Sequence, residues 1–485
     1  MKFRSTRGLE KSIASANAII NGISKDGGLY VPDEFPKIYD DLKTNTSIKY
    51  EELAFKVINK YFTDIDDAEL MGAINDAYKG RFNVKVRNNF LELYHGPTCA
   101  FKDAALLFLP QIMKRAKKIK GIKEDITILT ATSGDTGKAA LEGFVGVDEF
   151  KVVVYYPKNG VSPIQEKQMV SQKGNNVKVI GIRGNFDDAQ TGVKEIFGDT
   201  DFRAGLKDKG YILSSANSIN IGRLVPQIVY YFYGYFNLVN QGEVKLDDPI
   251  NVVVPTGNFG NILAGYYAKQ MGLPIDKFIC ASNENKVLTD FFETGVYDKK
   301  RELILTESPS MDILVSSNLE RLLYEACGRN SEKVAQLMDE LKNDGVYKVD
   351  DKMREFTKEF YGNYATTEEV YESIKEVYEK DKYVMDTHTA VAYTVKKKYV
   401  DETKDDKPAL IVSTASPFKF PRSICNALNI DVEGVDDFEV LNKLSEATGE
   451  VIPANLASLE KAEVLHDEVW DKTEMKQALV SFLDK

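Results

Sequence analysis

The sequence predicts an α/β protein: two doubly wound parallel-sheet domains, plus an N-terminal unit and a helical insertion. Three observations lead there. At 485 residues the chain exceeds one ordinary core, so about two or three domains of roughly 150 residues each are expected. From about residue 91, short β-branched runs alternate with helical patterns: Ile126–Thr130, Val152–Tyr156, Val177–Ile182, Asn251–Val254, Phe278–Ala281 and Leu410–Ser413. These runs lack strict polar–apolar alternation, so they read as strands buried on both faces, and their interleaving with helices implies parallel βαβ units.

Residues 1–90 form a first unit. Lys25-Asp26-Gly27-Gly28-Leu29-Tyr30-Val31-Pro32 is a turn followed by an extended stretch. Tyr50 to Phe62 and Asp67 to Tyr78 carry helix-spaced apolar residues such as Leu53, Val57 and Phe62. Residues 91–314 hold the α/β region, in two subdomains. Between 315 and 395 the strand signals disappear. Val334, Leu337, Met338 and Leu341 share a helical face closed by Gly345, and Thr366-x-x-Glu369 is a capping box opening a second helix with Val370, Ile374 and Val377. Residues 396–485 then supply the last strand, Leu410–Ser413, and a C-terminal segment. No repeat or Pro/Gly/Ser linker separates these parts, so close packing is expected. Active sites in such folds lie at the C-terminal ends of strands, often between domains.

Composition narrows the function. With 43% apolar and 28% charged residues the chain has a soluble globular composition. A net charge of -11 disfavours nonspecific nucleic-acid binding, which needs clustered Lys and Arg. Cys99, Cys280, Cys327 and Cys425 lack metal-ligand spacing and read as reduced core thiols of a cytoplasmic protein. Three histidines, His95, His388 and His466, form no zinc motif. No apolar segment follows the basic N-terminus, so no signal peptide is expected. The longest apolar stretch, Ile228 to Val239, is broken by Gly234 and falls short of the ~20 residues that span a bilayer.

Three loops carry the chemistry. Lys102 lies in Leu93-Tyr94-His95-Gly96-Pro97-Thr98-Cys99-Ala100-Phe101-Lys102-Asp103, between a turn signal and the apolar run Ala104–Leu109, which reads as a helix. Thr132-Ser133-Gly134-Asp135-Thr136-Gly137 and Thr256-Gly257-Asn258-Phe259-Gly260-Asn261 each follow a β-branched strand and open a helix. A semi-buried lysine facing two helix-start anion sites suits a cofactor bearing an aldehyde and a phosphate, which is pyridoxal phosphate. In the second loop, Gly257 and Gly260 are expected to take unusual backbone angles that aim successive N–H groups at one anion. It is neither a Walker A loop nor a dinucleotide G-x-G-x-x-G, although a tight βα turn would read similarly. The first loop also fails as a P-loop, because Ala139 follows Lys138 and Thr132 replaces the leading glycine.

Ser413-Thr414-Ala415-Ser416-Pro417-Phe418 ends the last strand, where a hydroxyl can meet the cofactor's pyridine nitrogen or simply cap a helix. Ser218, Asn220 and Arg223 cluster at one strand–helix junction and suit a substrate phosphate. Arg7, in Ser5-Thr6-Arg7-Gly8, is a weaker anion candidate. His95 reads as turn chemistry and His388 as a helix-start or packing residue.

Taken together, Ser5–Gly8, Asp26–Pro32, His95–Thr98 with Phe101–Asp103, Thr132–Gly137, Asn217–Asn220 and Gly257–Asn261 resemble the threonine synthases of the longer bacterial and fungal type. The resemblance runs in order from residue 4 to about 425. That family belongs to the tryptophan-synthase-β-like group (fold type II) of pyridoxal phosphate enzymes. The resemblance implies that Lys102 is the Schiff-base lysine and that Gly257, Asn258, Phe259, Gly260 and Asn261 hold the cofactor phosphate. It implies that Thr414 faces the pyridine nitrogen and that Thr132, Ser133, Asp135 and Thr136 hold the substrate carboxylate. Ser218, Asn220 and Arg223, with Arg7, would meet the substrate phosphate. The implied reaction turns O-phospho-L-homoserine and water into L-threonine and phosphate, by a monomer or homodimer with no nucleic-acid or membrane partner. Cys99, Thr387 and Ser416 depart from the residues usual in the family. Two rivals stand beside this reading. A dehydratase or β-replacement synthase of the same fold type would act on substrates without phosphate. A silent paralogue would only bind phosphorylated ligands, and the presence of Lys102 weighs against it.

Overall fold

The computed structural model describes residues 1–8, 11–132 and 134–484. Its two large sheets follow from the buried runs. The six-stranded sheet has the order Phe360–Tyr364, Ile275–Ser282, Ile250–Pro255, Ala409–Ser413, Phe90–His95, Asn83–Arg87. All neighbours are parallel except the last pair. The five-stranded sheet is parallel throughout, in the order Val469–Asp471, Val177–Arg183, Phe150–Pro157, Asp125–Ala131, Tyr211–Ser214.

Every residue of Ile250–Pro255 is buried, as expected for a strand covered on both faces. Val252 and Val254 join one hydrophobic cluster, whereas Val253 joins another with Ile279, Ile411, Met385 and Val391. This split is the two-residue side-chain period of a strand. The first cluster also takes Ile126, Ile128, Val152 and Val154 from the five-stranded sheet, so both sheets share a continuous core. The N-terminal unit is part of it. The helix Asp67–Tyr78 is capped by Asp66, and Tyr78 stacks on Phe108 at 6.2 Å. The Tyr78 hydroxyl donates to the carbonyl of Ala104 at 2.6 Å, gripping the chain two residues beyond Lys102.

Two expectations need correction. Residues 315–395 are not wholly helical: Phe360–Tyr364 is an edge strand of the six-stranded sheet, paired with Ile275–Ser282. Its sequence, Phe-Tyr-Gly-Asn-Tyr, has no β-branched residue, so it lacks the signal that marked the other strands. Leu410–Ser413 is also not the last strand. It lies centrally, between Ile250–Pro255 and Phe90–His95, and three later residues, Val469–Asp471, extend the other sheet. The helices Ser331–Asn343 and Thr367–Asp381 form where expected, the second with the Thr366/Glu369 capping box.

Candidate active site

Lys102 is held by a chain of backbone contacts between the C-terminal ends of two adjacent strands. Beyond Phe90–His95 the chain turns at Gly96, and Phe101 N–H donates to the carbonyl of Thr414 at 2.8 Å. Ser416 N–H donates to the carbonyl of Cys99 at 3.0 Å. Cys99 itself takes a left-handed conformation, φ 58°, buried and uncommon for a non-glycine. Asp103 closes the loop by accepting from Thr98 N–H and hydroxyl at 2.9 and 2.6 Å. Burial pushes its carboxyl up to about 7, against those bonds.

The Lys102 side chain is only 12% exposed, and its Nζ lies 3.7 Å from Asp135 Oδ2 and 3.3 Å from Ser310 Oγ. Burial pulls its amine below the ordinary lysine range. Asp135 opposes the shift, while Lys419 and Arg223 add to it. Asp135 opens the helix Asp135–Phe144 and is clamped by Lys419 Nζ at 2.8 Å and Gln165 Nε2 at 3.0 Å. Burial works against its charge, but Lys419 and then Lys102 outweigh it and hold the carboxyl well below the usual range.

The loop at Gly257 to Asn261 has a different construction. Its carbonyls are engaged from one side: Ser316 Oγ donates to Gly257 O, and Asn318 N–H and Nδ2 donate to Asn258 O. The N–H groups of Gly257, Asn258, Phe259, Gly260 and Asn261 make no hydrogen bond within the described residues. They stand at the start of the helix Gly260–Gln270, where the helix field favours an anion. The glycines serve otherwise than expected. Neither Gly257 nor Gly260 is left-handed; Phe259 is, at φ 63°, with its buried ring packed on Phe292 and Phe360. Gly257 is needed for space, since a Cβ there would stand 2.8 Å from the carbonyl oxygen of Ser310. At Gly260 the nearest atom to a Cβ is Asn318 Nδ2, at an ordinary 3.5 Å.

Among the three hydroxyls at Ser413, Thr414 and Ser416, where the strand Ala409–Ser413 ends, two are committed. Ser413 pairs with Thr389 at 2.9 Å, and Ser416 Oγ accepts from Phe418 N–H at 3.3 Å. The Thr414 hydroxyl makes no hydrogen bond within the described residues and is nearly buried. Thr132 Oγ1 accepts from the N–H groups of Gly134 and Gly137, each at 3.0 Å, so it shapes its own loop. Thr136 is half-buried beside it, and Ser133 lies outside the described residues.

Arg223 is buried. Its Nη1 donates to the carbonyl of Ala216 at 2.7 Å, Nε has no partner among the described residues, and no carboxylate pairs with it there. Burial alone pulls its guanidinium down to about 10. Ser218 is half-buried, and among the described residues its hydroxyl bonds only to Asn217. Asn220 and Arg7 are occupied. Asn220 Oδ1 accepts from Gly222 N–H at 2.8 Å and its Nδ2 donates to Ile19 O at 3.0 Å. Arg7 forks onto Glu320 at 3.1 and 2.9 Å. A neutral loop cap and a satisfied ion pair are poor phosphate ligands as they stand.

Sequence reasoning missed Lys419, Ser310 and their supports. His388 does open a helix, Thr387–Thr403, and it also reaches the site. Its Nε2 accepts from Ser310 N–H at 3.2 Å, so Nδ1 carries the proton and donates to Asp386 at 2.7 Å. His95 pairs with Glu92 at 2.6 Å, in keeping with a structural role.

Known proteins share this architecture. Residues 2–78 match the family described as threonine synthase N terminus, 90–415 the pyridoxal-phosphate dependent enzymes, and 389–479 the threonine synthase C-terminal family. The human protein named threonine synthase-like 1 is 41% identical over 436 residues, 86% of this chain but 58% of that protein, so the chain spans little more than half of such relatives. The threonine synthase of Schizosaccharomyces pombe is 37% identical over 88% of this chain and 90% of its own. The crystal structure of pyridoxal phosphate-bound threonine synthase from Brucella melitensis superposes with a TM-score of 0.88 at 35% identity, covering 100% of both chains. With a buried amine beside a helix start whose N–H groups lack partners among the described residues, and three family segments in matching order, the chain belongs to the threonine synthase family of pyridoxal-phosphate dependent enzymes.

Proposed function

We propose that the protein is a pyridoxal phosphate-dependent threonine synthase, converting O-phospho-L-homoserine and water into L-threonine and phosphate. The observation that carries this reading is Arg223, a buried cation near Lys102 with a carbonyl for its only partner among the described residues. A buried guanidinium costs several kcal/mol unless an anion meets it. The cofactor phosphate has its own seat at Gly257–Asn261, so the second anion is assigned to the substrate. A dehydratase substrate without phosphate would leave Arg223 uncompensated.

The residues fit pyridoxal phosphate: five N–H groups at a helix start that have no partner among the described residues, the cradle that a Cβ at Gly257 would fill, and a desolvated lysine. When bound, pyridoxal phosphate supplies an aldehyde carbon that takes up an amine and a ring that withdraws electrons from the substrate Cα. Gly257, Asn258, Phe259, Gly260 and Asn261 would hold its phosphate, Lys102 its aldehyde carbon and Thr414 its ring nitrogen. With the substrate amine in its place, Lys102 would be a free amine whose basicity burial lowers, suited to remove the Cα proton. Thr132 to Thr136 would orient the substrate carboxylate. Ser218 and Arg223 would grip the γ-phosphate as it leaves, with Asn220 and Arg7 supporting the surrounding loops. With phosphate gone, the proton lost from Cβ would be made good at Cγ to form the methyl group, and water would add its hydroxyl at Cβ while a proton returns to Cα.

A cytoplasmic setting and a monomer or homodimer belong to the same reading, as do domain limits near residues 90, 315 and 395. Among the described residues no helix is long and apolar enough to cross a membrane. The test is release of threonine and phosphate from O-phosphohomoserine compared with homoserine. Both products should appear from the first substrate and neither from the second. Ammonia and a keto acid from threonine or serine, with no reaction on the phosphorylated substrate, would replace this reading with a dehydratase.

A further inference from the structure

We propose that Lys419 is a positioning residue for Lys102: as the resident counter-ion of Asp135, it sets the charge balance around the reacting amine. The inference rests on the reading of Lys102 as that amine. Lys419 follows the Thr414 loop, and its side chain is 0% exposed. Its Nζ lies 2.8 Å from Asp135 Oδ1, 2.7 Å from Gln168 Oε1 and 3.3 Å from the carbonyl of Thr98. Asp135 thus stands between two lysines, with the other oxygen 3.7 Å from Lys102 Nζ. A carboxylate that is 4% exposed needs a full partner at all times. Lys102 cannot be that partner throughout a cycle in which it gives up its charge to bond carbon and later holds a free amine. Lys419 touches no open space and is never consumed, so it keeps Asp135 ionised while Lys102 changes state.

Each charged neighbour of Lys102 comes from a separate element. Asp135 comes from the helix Asp135–Phe144, Lys419 from the segment after Ala409–Ser413, and Arg223 from the helix Ile221–Leu224. On its own loop, Asp103 is bonded to Thr98, and the buried Cys99 thiol, pushed up to about 12, stays neutral. Removing Lys419 takes away a cation that repels a protonated Lys102. It also leaves Asp135 to attract Lys102 alone. Both changes favour the ammonium form, so the free amine should appear at higher pH.

The test follows that amine directly. The full chain, freed of cofactor with hydroxylamine, is labelled with trace acetic anhydride across a pH series, and acetylation of Lys102 is read by peptide mass spectrometry. Lys419→Met should lower labelling about tenfold at a fixed pH below the midpoint, an upward shift of about one pH unit. Lys419→Arg should return the midpoint toward that of the unmodified protein. In the holoenzyme the acid limb of kcat should move the same way. An unchanged Lys102 midpoint in folded Lys419→Met overturns the proposal. Should that variant not fold, Lys419→Gln, whose amide can still donate to Asp135 but carries no charge, is labelled in its place. A higher Lys102 midpoint in Lys419→Gln supports the proposal, and an unchanged midpoint overturns it. Labelling needs no substrate. A shifted midpoint without threonine formation would refute the proposed function alone, and threonine formation without a shift would refute this inference alone.

Discussion

After Ile250–Pro255 the chain passes through a short glycine-bearing loop into the helix Gly260–Gln270, and after Asp125–Ala131 it does the same into Asp135–Phe144. Among the described residues, the first loop keeps its N–H groups free by handing its carbonyls to Ser316 and Asn318. The second spends the N–H groups of Gly134 and Gly137 on Thr132 and places a carboxylate, Asp135, at the helix start. One helix start is an open anion cradle. The other has two of its N–H groups taken up by Thr132, and its field falls first on its own aspartate. A strand followed by a glycine-bearing loop and a helix therefore says where an anion can sit, and the hydrogen bonds of the loop decide whether it will.

The largest expected effect bears on whether the open loop works alone. Lys102→Ala should lower turnover on the order of a thousandfold or more, because the covalent anchor and the proton-transfer amine go together. If Gly257 to Asn261 bind phosphate by themselves, this variant still takes up pyridoxal phosphate, measured by equilibrium dialysis. In the unmodified protein, borohydride should fix the cofactor on Lys102, and a reduced adduct mapped to another lysine would sink the assignment.

Next comes the second anion. Arg223→Ala should reduce kcat/KM for O-phosphohomoserine by about 10- to 150-fold, the worth of a charge-assisted bond of roughly 1.5–3 kcal/mol. Cofactor retention should hardly change, because Gly257 to Asn261 bind that phosphate separately. Arg7→Ala should act differently. It strands Glu320, which is 5% exposed, so melting temperature should fall more than kcat/KM does. Equal losses of kcat/KM in the two variants would place Arg7 on the substrate after all.

The Thr132 loop should fail by a different route. Thr132→Val removes the acceptor of two buried N–H groups, each costing about 1–3 kcal/mol when left unmet. Urea midpoints should drop accordingly while cofactor affinity holds. A loss of cofactor affinity with unchanged stability would mean that this loop, too, is an open cradle.

How much of this was legible in the sequence depended on what each segment buries. Ile250–Pro255 and its parallel neighbours announce themselves because both faces are covered, so the run is apolar throughout. Phe360–Tyr364 lies at an edge and is aromatic with a glycine, while Val469–Asp471 has three residues; neither carries a pattern long enough to read. At the site, Lys102 and the loop Gly257 to Asn261 stood out in the sequence because turn and helix-start patterns are local. Lys419 and Ser310 were not, because each matters only through a contact across the fold. The three hydroxyls at 413, 414 and 416 look alike in sequence, and only the partners of Ser413 and Ser416 single out Thr414.

The smallest effects test why the glycines are there. At Gly257 an added Cβ would stand 2.8 Å from the carbonyl oxygen of Ser310, a backbone atom that cannot swing aside. Relief by moving the loop costs about 1–3 kcal/mol, so Gly257→Ala should weaken pyridoxal phosphate binding about tenfold. At Gly260 the same change meets Asn318 Nδ2 at 3.5 Å and Gln227 Nε2 at 3.9 Å, both ordinary contacts, with no left-handed backbone to strain. Gly260 opens the helix Gly260–Gln270, where alanine is the better helix former by up to about 1 kcal/mol. Its N–H survives the substitution. Gly260→Ala should therefore leave cofactor affinity within about twofold and raise the melting temperature slightly, as read by cofactor titration and calorimetry. A tenfold loss of affinity at Gly260 would mean that the bound phosphate comes closer to that Cα than the loop geometry allows, and the left-handed turn at Phe259 would no longer explain the cradle by itself.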